Sequence, residues 1–529
     1  MSSPLLYELN TRCWLRQLSE AQQQPITLAN VPEGELAGWC RLGFTHIWLM
    51  GVWSSGALAR KQALASASQR REYAAALADW REEDVAGSPY AIADYHVAPA
   101  LGGEEGLNAF RRNLHARGLK LLLDFVPNHL GLDHPWLGEH PDWFVQSDEQ
   151  LPGTFSQPAP EGLRWLAHGK DPNFAAWRDT AQLDYRRPAT RAAMIELLRS
   201  IAERCDGVRC DMAMLLLNEV FVKTWAKFPI RDEEQAASPV GSPGVPPRVL
   251  PPGESLGPAA GTAVPPGESV PAPEFWSSAI AAIRQAHPDF VFLAEVYWGL
   301  EARLRALGFD YTYDKELYDF LATPAPAQVQ RHLLQTPPQG LAAGVHFLEN
   351  HDEPRIAGIL ETPGHRAAAL VVLGLPGMRF LHEGQLTGAR LRTPVQLVRR
   401  AREPEQPEVR KNYEALLSLL PRTAVGQGSG ELLKPRAAWT ENRTAENFVI
   451  VQWQAQASAF DLVVVNLAAH RSQCYAPLSI EGLAAHNWSM KDLLGEERYV
   501  RWGEDLQQQG LYLDLPPYGA QLFHFEPVA

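Results

Sequence analysis

A chain of 529 residues with a net charge of −13 exceeds the size at which a single hydrophobic core stops growing, so two or three domains are expected. Hydrophobic residues at 46% and charged residues at 21% are the balance of an ordinary globular protein, and the acidic surplus disfavours nucleic acid as a partner. Five scattered cysteines without CxxC spacing argue against a disulfide framework or zinc site, and no apolar run nears the ~20 residues of a membrane helix.

Met1 to Glu8 lacks a basic segment and an apolar core, so no secretory signal is read there and a cytoplasmic protein with reduced thiols is expected. Leu6 to Leu15 reads as a first strand. Thr45 to Val52 is apolar on both faces, as in a parallel strand buried between helices and a barrel interior. Past Trp53 a long excursion carries a basic helical piece around Arg70, Arg71 and Glu72, then the loop Gly87-Ser88-Pro89-Tyr90-Ala91-Ile92-Ala93-Asp94-Tyr95. Tyr90 and Tyr95 there are either a binding surface or loop anchors.

A helix from Glu105 to Arg117 precedes the strand Leu119 to His129, which ends in the polar residues Asp124, Asn128 and His129; His129 taken alone reads as a core histidine. Leu130 to Asn173 is too long for an ordinary loop and predicts a small subdomain. After a helix from Pro188 to Arg204 comes Asp206 to Ala213. There an arginine stands two residues before an aspartate, so on a strand Arg209 and Asp211 share one face. The guanidinium would hold the carboxylate ionised, as a nucleophile must be, although such a pair is also a common structural element.

Asp232 to Pro273 is Pro, Gly, Ser and Ala with almost no aromatic residues, a composition that predicts a disordered insertion. Phe290 to Trp298 is a strand that ends at Glu295, a weaker strand lies near Phe309 to Tyr313, and Gly344 to Arg355 brings His351 and Asp352. Met378 to Gln385 closes the series. Apolar strands thus alternate with helices about eight times, and acidic groups mark four strand ends, which is the sequence form of an α/β (β/α)8 TIM barrel. After a helix from Glu408 to Leu420 the pattern turns to short alternating runs, predicting a C-terminal antiparallel β-sandwich. The expected organisation is a catalytic barrel at 1–425, with a small domain B at 130–178 and the insertion at 232–273, and a β-domain at 426–529.

If the strand ends converge, three carboxylates share one mouth and cannot all stay ionised. Arg209 is expected to keep Asp211 charged, which leaves Glu295 as the group that retains a proton, the pairing of retaining glycoside hydrolysis. The four stretches LLLDFVPNH, GVRCDMA, FLAEVYW and FLENHDEPR resemble, in order, the four short motifs of the α-amylase superfamily of retaining glycoside hydrolases. The resemblance implies that Asp211 is the nucleophile, Glu295 the general acid/base, and Asp352 a ligand of the sugar's 2- and 3-hydroxyls. It further implies that Arg209 orients Asp211, that His129 and His351 bind sugar hydroxyls, and that Tyr90 is the platform beneath that sugar.

The implied function is a retaining α-glucoside hydrolase acting on α-linked gluco-oligosaccharides or α-glucans, with no membrane partner and no cofactor. A transglycosylase, phosphorylase or disaccharide isomerase on the same scaffold is the alternative, and a noncatalytic binding relative a third reading. Gln182 stands where many members have a calcium ligand and Met214-Leu215 where they have Lys-His, so no metal is expected at the first position. Gly384-Gln385-Leu386 lacks an acid common in the family, and Arg392 to Leu397 carries no assigned role.

Overall fold

The computed structural model describes residues 3–159, 162–229, 273–456 and 459–528. Of the tract expected at 232–273, only Pro273 is among them. Eight parallel strands close into a barrel: β1 (Leu5–Asn10), β2 (His46–Met50), β3 (Lys120–Phe125), β4 (Gly207–Cys210), β5 (Val291–Ala294), β6 (Tyr311–Tyr313), β7 (Gly344–His346) and β8 (Met378–His382). Neighbours in sequence are neighbours in space, and β8 closes the ring against β1 with Leu6 opposite Phe380. Helices between the strands bury their apolar faces on the barrel wall; the helix Gly103–His115, for example, sets Leu107, Phe110 and Leu114 inward.

The strands run shorter than their sequence patterns predict, and two of them show where the pattern misleads. The first stops at Asn10, whose side chain accepts a hydrogen bond from the Cys13 backbone N–H and so starts the helix Thr11–Gln22. The seventh ends at His346, and Phe347 to Asp352 continues as irregular chain into the mouth.

The chain leaves the barrel at two places to build over that mouth. After β2 come Trp53–Ser55, the helices Ala57–Ala65 and Ala67–Ala76, and then Ile92–Val97, which pairs back with Trp53–Ser55 as an antiparallel ribbon. After β3, His129–Gly131 pairs with Thr180–Gln182, and between them lies a three-stranded antiparallel sheet of Gln146–Ser147, Gly162–Ala167 and Thr154–Ala159. His129 therefore opens this subdomain and does not end a barrel strand.

The C-terminal strands are β9 (Ser429–Leu432), β10 (Phe448–Gln456), β11 (Ala459–Asn466), β12 (Ser472–Ala476), β13 (Asn487–Asp492), β14 (Arg498–Trp502), β15 (Leu511–Leu515) and β16 (Ala520–Pro527). They form a six-stranded antiparallel sheet in the order β9-β10-β11-β16-β13-β14, and β12 pairs with β15. Alternation along β10 decides which face meets what. Phe448 and Ile450 join a core with Leu513 and Leu515, while Val449, Val451 and Trp453 pack into the barrel's core. Trp453 Nε1 donates to the Gly374 carbonyl at 2.8 Å, and a Cβ at Gly374 would meet Val463 at 2.7 Å, so only glycine permits that approach.

Candidate active site

Asp211 follows β4 directly and Glu295 follows β5 directly, so strand pairing alone brings them side by side. Cys210 is opposite Ala294, and the Glu295 N–H donates to the Cys210 carbonyl at 3.1 Å. Arg209, alternating inward with Asp211, is 1% exposed and reaches both acids: Nη1 lies 2.5 Å from Asp211 Oδ1 and Nη2 2.6 Å from Glu295 Oε2. Its guanidinium also lies over the rings of Trp48 and Tyr90, each at 5.4 Å.

Arg209 thus makes the expected contact to Asp211 and a second one to Glu295, so one cation is shared by two carboxyls. Burial pushes Asp211 and Glu295 both upward against the pull of Arg209, and Asp211 and Asp352 raise Glu295 further. Burial works to raise Asp352 too, but the adjacent His351 imidazolium holds it down at about 2. Three acids in one mouth thus divide into a firmly ionised Asp352 and a raised, interacting pair.

His351 is the centre of a buried chain of charge. Its Nδ1 lies 2.5 Å from Glu8 Oε1; its Nε2 lies 3.0 Å from Asp352 Oδ2 and 2.7 Å from the Tyr90 hydroxyl, whose ring stacks on the imidazole at 5.4 Å. Burial alone would lower its pKa, yet the two flanking carboxylates raise it well above the ordinary value, so His351 is an imidazolium at neutral pH. Both ring nitrogens are committed to protein groups in this arrangement. His129 behaves oppositely. It is 3% exposed, burial lowers it to about 4, and its neutral ring packs on Trp177 at 5.1 Å.

These groups open on a cavity of about 1030 Å3 whose lining includes Tyr90, His129, Asp211, Glu295, Asp352 and Trp177. Asp352 lines it with its side chain 47% exposed, which leaves its carboxylate open to a ligand. All seven residues singled out from sequence therefore meet at one mouth. The helix Ala67–Ala76 and residues 176–180 form its outer wall.

Sequence reasoning missed three contributors and left a fourth, Asp124, without a role. Glu8 is fully buried on β1, and the one signal for it is a lone acid inside the apolar run LLYELN. Asp124 is held by Trp48 Nε1 and the Gly51 N–H, and burial raises it to about 6. The Met212 N–H and the Tyr297 hydroxyl both bond Glu295, at 2.8 and 2.7 Å. Tyr297 stands two residues past the acid, a spacing that would have flagged it.

Gln182 has a definite structural job. Its Nε2 donates to the Asn128 carbonyl at 2.8 Å, Asn128 Oδ1 at 3.0 Å and the Leu183 carbonyl at 3.1 Å, so an amide nitrogen fills the point where three oxygens converge. No group of three or more His, Cys, Asp or Glu arranged for a metal ion occurs among the described residues.

The family model described as alpha amylase, catalytic domain, matches residues 40–416. Trehalose synthase from Pimelobacter sp. is 28% identical over 138 residues, covering 23% of this chain and 24% of that protein. Maltase 1 from Drosophila virilis is 29% identical over 150 residues, covering 25% and 24%. The aligned part thus spans about a quarter of the length of these curated relatives.

Among solved structures, a maltogenic alpha-amylase from Thermotoga neapolitana superposes with a TM-score of 0.64 over 99% of both chains at 16% identity. Trehalose-6-phosphate hydrolase from Bacillus licheniformis gives 0.62 at 13% identity, again over 99% of each chain. At such identities the superpositions speak for the fold. With the family model covering most of the barrel, the chain belongs to the α-amylase family of glycoside hydrolases.

Proposed function

We propose that the protein is a retaining α-glucoside hydrolase that cleaves α-linked gluco-oligosaccharides or α-glucans by double displacement. What carries the reading is the single guanidinium bridging Asp211 and Glu295. A fork whose nitrogens lie side by side favours the roughly 5 Å carboxyl spacing of retaining enzymes over the roughly 6.5–9.5 Å of inverting ones. In the first step an Asp211 oxygen bonds to the sugar C1 as the glycosidic C–O bond breaks, and Glu295 gives its proton to the departing oxygen, which leaves as an alcohol. In the second, water gives a proton to Glu295 as its oxygen bonds to C1 and the Asp211 ester bond breaks.

Asp352, ionised and open to the cavity, would accept hydrogen bonds from the 2- and 3-hydroxyls. Arg209 orients both acids, Tyr90 is the platform beneath the sugar, and the neutral His129 offers it a ring nitrogen. His351, committed to Glu8 and Asp352, acts chiefly by fixing Asp352 and meets a hydroxyl only by giving up its bond to Tyr90. The same reading assigns 1–425 to the catalytic unit, with 130–178 as domain B, and 426–529 to the β-domain. Five free cysteines, four of them buried, suit a reducing cytoplasm, and no helix among the described residues is long and apolar enough to cross a membrane.

The test is covalent capture with 5-fluoro-α-D-glucosyl fluoride followed by peptide mapping. The expected result is one glucosyl adduct on Asp211, absent from Asp211→Asn, which should fold normally and lose turnover. An adduct on another peptide, or substantial activity in Asp211→Asn, would overturn the assignment.

A further inference from the structure

Glu295 accepts three hydrogen bonds, and they are divided unequally between its two oxygens. Oε2 takes Arg209 Nη2 at 2.6 Å and the Met212 N–H at 2.8 Å; Oε1 takes the Tyr297 hydroxyl at 2.7 Å. A guanidinium and a backbone amide donate only, whereas a hydroxyl donates or accepts. A proton on Oε2 would therefore point at two N–H hydrogens, while a proton on Oε1 meets an oxygen that can turn to receive it. The backbone that carries two of these donors takes unusual conformations. Met212, whose N–H serves Oε2, has φ +44°, and Trp298, just past Tyr297, has φ +66° ahead of Gly299 at +72°. Left-handed backbone at two non-glycine residues, one bonded to the carboxyl and one directly after Tyr297, is the kind of local strain that gathers at working sites.

We propose that Tyr297 is a positioning residue that confines the exchangeable proton of Glu295 to Oε1 and, by reversing its hydroxyl, keeps that oxygen hydrogen-bonded in both protonation states. One atom then serves as acid in the first step and base in the second, a claim that rests on the reading of Glu295 as acid/base. When Oε1 carries the proton it donates either to Tyr297 or to the glycosidic oxygen. When it is ionised it accepts from Tyr297 until water supplies the proton back.

The charged and titratable groups facing Glu295 are Arg209, Asp211, Asp352, Tyr297 and Tyr313. Burial and the two aspartates raise its pKa, and Arg209 and the Tyr297 hydrogen bond lower it. Tyr297→Phe removes the last of these and keeps the ring, so the Glu295 pKa should rise by about one unit, the scale of a hydrogen bond to a charged group.

The direct test needs no substrate. The full chain is labelled with 13C at glutamate carboxyls, the Glu295 signal is assigned by its loss in Glu295→Gln, and its titration is compared in wild type and Tyr297→Phe. Superimposable titrations would overturn the proposal. In the wild type, 13C-labelled tyrosine should show the Tyr297 ring carbon shifting at the same midpoint as Glu295, and independent midpoints would overturn it without any variant. In turnover, Tyr297→Phe should lose about tenfold or more on an alkyl α-glucoside and far less on 4-nitrophenyl α-glucoside, whose leaving group needs no proton. Equal losses on both would mark a merely structural role and sink the proposal. Wild-type activity of Glu295→Gln on the alkyl glucoside would sink the acid/base reading instead.

Discussion

Replacing Glu8 by Gln keeps the shape of the buried side chain and removes its charge from the His351 relay. Glu8 and His351 are 0% and 2% exposed, 2.5 Å apart, and the far nitrogen of His351 meets Asp352 at 3.0 Å. A hydrogen bond to a charged partner contributes roughly 1.5–3 kcal/mol and one to a neutral partner roughly 0.5–1.5, so the change removes about 1–2 kcal/mol from the imidazolium form. That is about one unit off the His351 pKa and, where Asp352 relies on the imidazolium, about tenfold in turnover.

The sign follows from the direction of the shift. His351 is raised in the folded state, so its stabilisation is complete below about pH 6.5 and is lost as pH rises through its folded pKa. The variant's deficit should accordingly be full in mildly acid solution and close at alkaline pH. A 15N-histidine NMR titration reads the midpoint directly, denaturant unfolding at several pH values reads the deficit, and 4-nitrophenyl α-glucoside turnover reads the consequence. An unchanged His351 midpoint with unchanged turnover would refute the argument that Glu8 acts through this ring.

Three further outcomes are expected. Gln182→Ala should cost about 2–3 kcal/mol, measured by denaturant unfolding, because Asn128 Oδ1 and the Leu183 carbonyl lose a buried donor and the Asn128 carbonyl keeps only the Leu183 N–H; chelators should leave the wild-type melting curve unmoved. Four buried histidines, His46, His129, His134 and His365, are lowered by burial to about 4, so the unfolded chain protonates first and stability should fall as pH drops from about 6.5 to 4. For His129 alone that is about 3 kcal/mol, and His129→Asn should flatten the slope seen by calorimetry. Gly207→Ala should impair folding, seen as insoluble expression, because a Cβ there would stand 2.6 Å from the Val291 carbonyl on the neighbouring strand.

The barrel was legible because every buried strand interrupts a helical stretch with an apolar run, and the site because Asp211, Glu295 and Asp352 are acids where such runs end. Features set by distant partners were not legible. The extent of β1 depended on a side-chain cap at Asn10, which local apolarity masks. The sharing of Arg209 depended on β5, which follows it by more than eighty residues. Arg392 to Leu397, without a role in sequence, turns out to tie the chain after β8 to the loop bearing Tyr90. Leu397 bridges to Val85, the Ala86 N–H donates to the Gln396 carbonyl at 2.9 Å, and Arg392 lies 3.5 Å from Glu72. Contacts across three hundred residues leave no periodic trace.

The face of β10 and β11 that bears Trp453 and Val463 against Gly374 also bears on how the protein must be made. That sheet seals the helix Thr362–Gly374, which in turn backs β8, yet it leaves the ribosome after both. A nascent barrel waiting for it presents an uncovered apolar strip, and any fragment ending near residue 425 would carry that strip permanently. Halting synthesis there should yield aggregation, and supplying the missing sheet in trans should relieve it.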